Sequence, residues 1–334
     1  MDSPDLAPET RRAGVREVAA LAGVSTQTVS RVINEHPSVR NETRQRVQDA
    51  MLSLGYRVNN AARTLGTRRT RTLGVIASNA ALFGPSMGVV ALEGAARAAG
   101  RWVTTVYADA SDESSAVASL EHLLSQGVDG VVVVAPRVST VSTLLEHGTG
   151  VRIASLPSDE GARRQAEGSA LVVRHLVDRG HRRIARLGGP ADWVEEATRA
   201  RGFEEAMSAA GIDPVERWTG DWSAASGAAR AEDIAECVRS AAITAVIVAN
   251  DQMALGLMSG LELLGVSVPG DVSVVGFDDN TDAAFYRPPL TTVRMDVDGE
   301  ARACVAEVLG VEAVEQASIA PPRLVVRESA ADIL

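Results

Sequence analysis

The chain has 334 residues, of which 46% are hydrophobic and 23% are charged, and its formal net charge is −10. This length suits a small domain followed by a body of two lobes better than one core, and no run of about 18 apolar residues predicts a membrane span. The chain contains no lysine, which excludes a Walker A loop, a Schiff-base lysine and a Ser-x-x-Lys nucleophile.

Residues 15–34, VREVAALAGVSTQTVSRVIN, carry the pattern of two short helices joined by a tight turn. Apolar residues recur at helical spacing in each half, Gly23 interrupts the first helix, and the Ser25 hydroxyl can cap the second. The polar face of the second helix, predicted over residues 26–34, carries Gln27 and Arg31. Their planar groups can grip base edges of a DNA major groove with two bonds each. The pattern therefore favours a helix-turn-helix over an ordinary surface hairpin.

Seven side chains of this motif are predicted to contact DNA. Base edges are read by Thr26, Gln27 and Arg31. Phosphate contacts are assigned to Ser25, Thr28, Ser30 and Asn34.

The charge distribution supports the same interpretation. Residues 1–71 contain 12 Arg and 7 acidic residues, whereas the remainder contains 21 Arg and 36 acidic residues. A basic segment on an acidic body is typical of phosphate contact. The predicted domains are a disordered leader over residues 1–12, a headpiece over 13–58, a hinge helix and linker over 59–71, and a body over 72–334.

The body alternates strand and helix signals, which predicts an α/β fold of two doubly wound parallel-sheet lobes. Lobe 1 is assigned to about 72–160 and 295–322, and lobe 2 to about 161–294 and 323–334. The predicted strands are Leu73–Ala77, Trp102–Tyr107, Gly130–Ala135, Arg152–Ser155, Arg183–Leu187, Ala245–Ala249 and Val272–Gly276. Ligands of such sheets bind beyond the carboxyl ends of the strands, so a cleft between the lobes is expected there.

Polar and aromatic residues follow these strands in the mixture that a sugar needs. Carboxylate, amide and guanidinium groups bond hydroxyls, and an aromatic ring covers the apolar face of the sugar. The candidates are Ser78, Arg199, Trp222, Asn250 and Asp278. Other interpretations are a helix cap for Asn250 and core packing for Trp222, and caps are favoured for Asp251 and Asp279.

The headpiece pattern, followed by GYRVNNAARTL at 55–65, resembles the lactose repressor family of bacterial transcription factors. GDWSAASG at 220–227, VANDQMALG at 248–256 and SVVGFDDNTDAAFYRPPLTTV at 273–293 resemble the lactose repressor branch. The resemblance implies a body like periplasmic binding proteins. It also implies a hinge helix that contacts DNA through Asn59, Ala62 and Leu65, with Leu65 as a minor-groove wedge. The five candidates above match effector-contacting positions.

The function implied by the resemblance is a homodimeric repressor that binds an inverted-repeat operator and is released by a small sugar, such as a galactoside or another glycoside. We expect no enzyme activity, no cofactor, no bound metal, no membrane partner and a cytoplasmic location. One alternative is the same fold with a purine or phosphoprotein corepressor that tightens DNA binding. Another is an exported sugar-binding protein or enzyme, against which the basic headpiece and the lack of a signal-peptide layout argue.

Two local features depart from, or compete with, this interpretation. Leu156-Pro157-Ser158 stands where the family ends a strand in an acidic residue. The family's next strand is replaced by the charged segment 158–165. These two differences predict an altered pocket wall.

Residues 84–88 match the Gly-x-Ser-x-Gly nucleophile motif. Because Pro85 fits the first turn of a helix, we interpret this segment as a pocket-wall turn.

Overall fold

The computed structural model describes residues 13–34, 36–56, 70–109, 112–148, 150–310 and 318–333. The chain divides into two compact units, Met1–Thr70 and Arg71–Leu334. The predicted leader and the predicted hinge contacts Asn59, Ala62 and Leu65 lie outside the described residues.

The first unit contains three described helices, α1 (Val15–Ala22), α2 (Thr26–Ile33) and α3 (Asn41–Ser53). Gly23 ends α1 with a left-handed φ of 65°, a conformation that glycine adopts without steric cost. The Ser25 hydroxyl caps α2 by accepting a bond from the Thr28 amide at 3.1 Å. The helices share a small core of Val18, Ala19, Ala22, Val29, Val32, Val47 and Ala50. The helix α2 ends one residue earlier than predicted.

Replacement of Ser25 with alanine is expected to destabilise α2 by about 1 kcal/mol, because the Thr28 amide loses its acceptor. Amide hydrogen exchange of residues 15–33 in the full chain would measure this as faster exchange. Ser30→Ala is the matched control, since Ser30 lies inside α2 and alanine favours a helix interior. Equal exchange in the two variants would contradict a capping role.

The first lobe of the second unit contains a parallel sheet in the order β2-β1-β3-β4. Its strands are β1 (Thr72–Ala77), β2 (Trp102–Tyr107), β3 (Gly130–Val134) and β4 (Arg152–Leu156). Its helices are α4 (Phe83–Ala98), α5 (Glu113–Ser125), α6 (Val138–His147) and, from the end of the chain, α12 (Val297–Leu309). The strand β3 is a continuous, fully buried apolar run, as expected where helices cover both faces of a sheet.

The second lobe repeats this architecture in the order β6-β5-β7-β8, again with all strands parallel. Its strands are β5 (Ile184–Gly188), β6 (Arg217–Thr219), β7 (Ala245–Val248) and β8 (Ser273–Val275). Its helices are α7 (Asp159–Asp178), α8 (Val194–Ala209), α9 (Ala224–Ala228), α10 (Ala231–Arg239) and α11 (Asp251–Leu263). A two-stranded antiparallel pair joins β9 (Thr292–Arg294) to β10 (Arg323–Val325). The predicted α/β class is confirmed.

Two details differ from the sequence-based expectation. The strand β6 was not predicted, because three residues with partly exposed side chains give no apolar run. The helix α7 begins at Asp159, whereas its apolar pattern predicted a start near residue 165. The side chain of Ser158 caps it by accepting a bond from the Gly161 amide at 3.2 Å, and two acidic residues in the first turn favour the helix. The charged segment 158–165 is therefore the start of a helix.

None of the helices in the described ranges has the length and apolar character needed to cross a bilayer.

Candidate functional site

A cleft with about 780 Å³ of empty space, mouth included, lies between the lobes at the carboxyl ends of their strands. The N-terminus of α4, the end of β3 and the end of β4 form one wall, and α8 and the loops after β6, β7 and β8 form the other. The lobes touch at its border, where the Phe83 amide donates to Gln252 Oε1 at 2.9 Å. Arg137 also forms an ion pair with Asp192 at 2.9 Å.

Arg199 is the most heavily bonded side chain of the cleft and is only 6% exposed. Its Nε donates to Gln165 Oε1 at 2.7 Å, its Nη2 donates to Asp278 Oδ1 at 3.0 Å, and its Nη1 donates to the carbonyl of Ala249. The Phe277 ring stacks under the guanidinium at 4.0 Å. Burial raises the pKa of Asp278, and the positive charge of Arg199 opposes that rise. The pair is thus held rigidly, as recognition of a polar ligand requires.

Trp222 places an aromatic ring beside this pair. The guanidinium carbon of Arg199 lies 5.7 Å from the centroid of that ring. The ring packs edge-to-face on Trp193, with centroids 6.0 Å apart. Trp222 is 6% exposed, and its indole nitrogen is buried without a hydrogen-bond partner in the described part of the chain. A buried donor without an acceptor is costly unless a ligand or water supplies one.

Asn250 both caps a helix and holds the Trp222 loop. Its Oδ1 accepts from the Met253 amide at 2.8 Å at the start of α11, and its Nδ2 donates to the Trp222 carbonyl at 3.0 Å. The cap interpretation is therefore confirmed for Asn250, which also lines the cleft. One amide hydrogen is left for a further bond, because a side-chain amide carries two.

Asp251 and Asp279, which were predicted to be helix caps, have other roles. Asp251 accepts from the Asn280 amide at 2.8 Å and from Thr292 Oγ1 at 2.6 Å. Burial raises its pKa to about 8. Asp279 pairs with Arg327 at 2.6 Å. The cap prediction was wrong for both, because their partners come from segments that only the tertiary fold brings near.

The structure separates Ser78 from the other candidates. Arg199, Trp222, Asn250 and Asp278 all line the cleft, whereas Ser78 lines a smaller adjoining pocket with Asp109, Arg137 and Thr140. Val134 and Ala135 form part of both pockets. Ser78 is 8% exposed, so it lies behind this shared wall.

Two carboxylates in the cleft were missed by the sequence analysis, namely Glu195 on α8 and Glu300 on α12. Glu195 lies four residues before Arg199, and this spacing places both on one helix face, which was a usable signal. Glu300 follows no strand end, and nothing in the sequence near it indicated a site. Burial raises the pKa of each carboxyl to about 7.

The headpiece presents most of its predicted DNA contacts to solvent. Ser25, Thr26, Gln27, Ser30 and Arg31 are exposed. Thr28 and Asn34 are half-buried, and the hydroxyls of Thr28 and Ser25 lie 2.9 Å apart. The Arg31 side chain forms no ion pair with any residue that the structure describes. Its guanidinium is therefore available to an external acceptor.

The Gly-x-Ser-x-Gly segment forms the start of α4 at the cleft. Pro85 lies in the first turn of this helix, and Ser86 Oγ donates to the Ala80 carbonyl at 2.5 Å. A hydroxyl committed to its own turn is not the exposed nucleophile of a strained elbow. The structure supports the interpretation as a pocket-wall turn.

Two protein-family models match this chain. The model described as "Bacterial regulatory proteins, lacI family" matches residues 14–59. The model described as "Periplasmic binding protein-like domain" matches residues 173–330.

Three relatives illustrate the range of similar proteins. The lactose operon repressor of Escherichia coli (strain K12) is 36% identical over 84% of this chain and 79% of its own length. The HTH-type transcriptional regulator CelR of Thermobifida fusca is 34% identical over 96% of this chain and 98% of its own. The HTH-type transcriptional repressor PurR of Aliivibrio fischeri (strain MJ11) is 32% identical over 84% and 86%.

Solved structures agree with these relatives. The lac repressor dimer bound to operator and the anti-inducer ONPF superposes with a TM-score of 0.77 at 31% identity, covering 96% of this chain and 100% of that one. The CelR–cellobiose complex superposes with a TM-score of 0.66 at 30% identity, with the same coverage.

Proposed function

Since the chain belongs to the lacI family of bacterial regulatory proteins, we propose that it represses transcription by binding an operator and that a small sugar in the interlobe cleft controls this binding. The lactose repressor and CelR, whose solved structures carry ONPF and cellobiose, support a sugar or glycoside. We also propose that it acts in the cytoplasm as a homodimer, without catalysis, cofactor or membrane partner.

The observation that carries the sugar assignment is the group of Arg199, Asp278 and Trp222. A guanidinium and a carboxylate offer charge-assisted bonds to hydroxyls, and an indole offers an apolar face and an unsatisfied N–H. We therefore assign effector contacts to Arg199, Trp222, Asn250 and Asp278. Ser78 is proposed only as support behind the shared wall.

A corepressor is the second candidate, because relatives named PurR are 32% identical to this chain. The charges of the cleft disfavour a phosphorylated ligand. Among the described residues, its charged lining side chains are three carboxylates, on Glu195, Asp278 and Glu300, and one guanidinium, on Arg199. The net negative charge of these side chains would repel a phosphate group.

On the DNA side, we propose that α2 enters the major groove, where Thr26, Gln27 and Arg31 contact base edges. Ser25, Thr28, Ser30 and Asn34 are proposed to contact phosphates. Asn59, Ala62 and Leu65 remain predicted hinge contacts. Thermodynamic linkage requires that operator binding weaken sugar binding by the same factor by which sugar weakens operator binding.

Calorimetric titration of the full chain with monosaccharides, disaccharides, purine bases and nucleotides tests the effector assignment directly. Each binding ligand is then added to the operator complex. A sugar that binds and weakens operator affinity supports the proposal. A purine that binds and tightens operator affinity, with no sugar bound, would replace it with the corepressor function.

The full chain is expected to bind an inverted repeat much more tightly than a single half-site, because two headpieces of a dimer each read one half. Titration of both duplexes at equal length and salt, with the complex mass measured by light scattering, checks this result. One half-site bound as tightly as the palindrome would refute the dimeric arrangement.

A further inference from the structure

Glu300 lines the cleft, and its carboxylate forms no hydrogen bond or ion pair with a described residue. It lies in the first turns of α12, is 3% exposed and lines the cleft. A buried carboxylate without donors is unfavourable, and native structures keep such groups mainly where a ligand or function requires them.

The altered pocket wall makes the space that Glu300 fills. The helix α7 starts directly after β4, and its third residue is Gly161. A Cβ at Gly161 would overlap the Glu300 carboxylate, so the absence of a side chain there admits it. Pro157 lies on the same side of the cleft. The end of β4, which lacks a carboxylate of its own, therefore has one beside it that belongs to α12.

Glu195 faces the same cleft from the opposite lobe. Its Oε2 atom is buried and has no hydrogen-bond partner among the described residues. The negative charge of Glu300 adds to the rise in the pKa of Glu195, after the larger effect of burial. Both carboxylates therefore line the one cleft that a ligand would fill.

The charges around this pair do not balance. Among the described residues, Arg199 is the one cationic side chain that lines the cleft. It already forms an ion pair with Asp278 at 3.0 Å. Glu195 and Glu300 form no ion pair with a described residue, although the positive charge of Arg199 acts on both. A neutral sugar supplies only hydroxyl donors, whereas a protonated amine supplies three N–H donors and a compensating charge.

We infer that the effector is a sugar bearing a protonated amino group, which Glu195 and Glu300 bind together. This inference rests on the proposed function, that a small sugar occupies the cleft, and narrows the class of that sugar. The unsatisfied indole N–H of Trp222 is then available to a ring or hydroxyl oxygen of the same ligand.

The protonation behaviour of the two carboxyls is consistent with this role. The charged groups that face Glu195 are Arg199, Asp278 and Glu300, and those that face Glu300 are Arg199 and Asp296. Burial outweighs Arg199 and raises the pKa of both carboxyls to about 7. An ammonium group between them favours their ionised form and lowers both values again.

The test uses the full-length chain and matched sugars at pH 7.0. Glucose, galactose and mannose are titrated by calorimetry beside their 2-amino, 6-amino and N-acetylated 2-amino counterparts. At least one amino sugar is expected to bind about tenfold or more tightly than both its parent and its N-acetylated form. The double variant Glu195→Gln/Glu300→Gln is expected to lose this preference.

Two further variants separate a ligand contact from a structural effect. Glu205→Gln changes an exposed glutamate on the same helix as Glu195 and is expected to keep the preference. Gly161→Ala displaces the Glu300 carboxylate without removing its charge and is expected to reduce the preference. Unfolding temperatures confirm that each variant is folded. The double variant Glu195→Gln/Glu300→Gln should not unfold at a lower temperature than the unmodified chain, because it removes buried charge.

The outcomes distinguish the amino-sugar inference from the proposed sugar-responsive function. If neutral sugars bind and release operator as well as amino sugars do, the amine inference is wrong and the sugar-responsive function stands. A preference for amines that survives in the double variant also overturns the assignment to Glu195 and Glu300. If no sugar of either class binds, while the chain still binds operator, both the inference and the sugar effector are wrong.

Discussion

Replacement of Arg199 with alanine is expected to abolish the response to the effector while operator binding persists. The guanidinium contacts Gln165, Ala249 and Asp278 at once, and Asp278 would be left as a buried carboxylate without its partner. Removal of one partner of a buried pair costs about 3–5 kcal/mol. If that loss falls on the liganded state, effector affinity falls by about 100-fold or more. Calorimetry and operator titration measure the two affinities separately.

The control for this variant is Arg201→Ala. Arg201 lies on the same helix, its side chain is 58% exposed, and it pairs only loosely with Glu205 at 4.0 Å. This variant loses the same charge and should respond normally. Arg199→Lys keeps the charge but lacks the planar guanidinium fork that reaches Gln165, Ala249 and Asp278 together, so it should also fail to respond while remaining folded. Normal effector affinity in Arg199→Lys would show that the bond geometry of Arg199 is not needed.

Replacement of Arg31 with alanine is expected to weaken operator binding by about 1–3 kcal/mol, which is a fall of about 5- to 150-fold in affinity. The side chain is exposed on α2, where a bidentate contact with a guanine is available to it. Because base contacts carry the specificity, the loss on operator should exceed the loss on random DNA. Fluorescence titrations with both duplexes at one salt concentration measure the two losses.

Arg46→Ala is the matched control for Arg31. Arg46 is also an exposed arginine of the headpiece, but it lies on α3 and not on the proposed recognition helix α2. Its loss should change operator and random DNA affinity alike, through net charge. If Arg31→Ala behaves in the same way, Arg31 contacts phosphate and does not read a base.

The family and the main architecture could be predicted from local sequence patterns. The headpiece follows from apolar residues at helical spacing, a glycine turn and the Ser25 cap, all of which act over a few residues. The lobes follow from alternating strands and helices, and a polar residue after a buried strand indicates the ligand edge. That rule found Asn250 and Asp278. Trp222, in a loop, and Arg199, in the helix after the turn at residues 188–190, were selected for the groups that a sugar needs, and the resemblance matched all four.

The roles of other polar residues could not be predicted, because they depend on partners distant in the sequence. Asp251 binds Asn280 and Thr292, so its helix-start position alone suggested the wrong role. Ser78 follows β1 as a ligand residue would, yet the wall formed by Val134 and Ala135 places it in the adjoining pocket.

The sequence by itself determined the DNA-binding motif, the two-lobed α/β body and four of the side chains in the cleft, because each depends on periodicity or on the residue that follows a strand. Only the tertiary structure decided the charge of the cleft. It brings Glu300 of α12 against Gly161 of α7 and opposite Glu195 of α8. The physical reason is that the burial of these carboxylates comes from packing between segments far apart in the chain, and such packing produces no periodic pattern in the sequence.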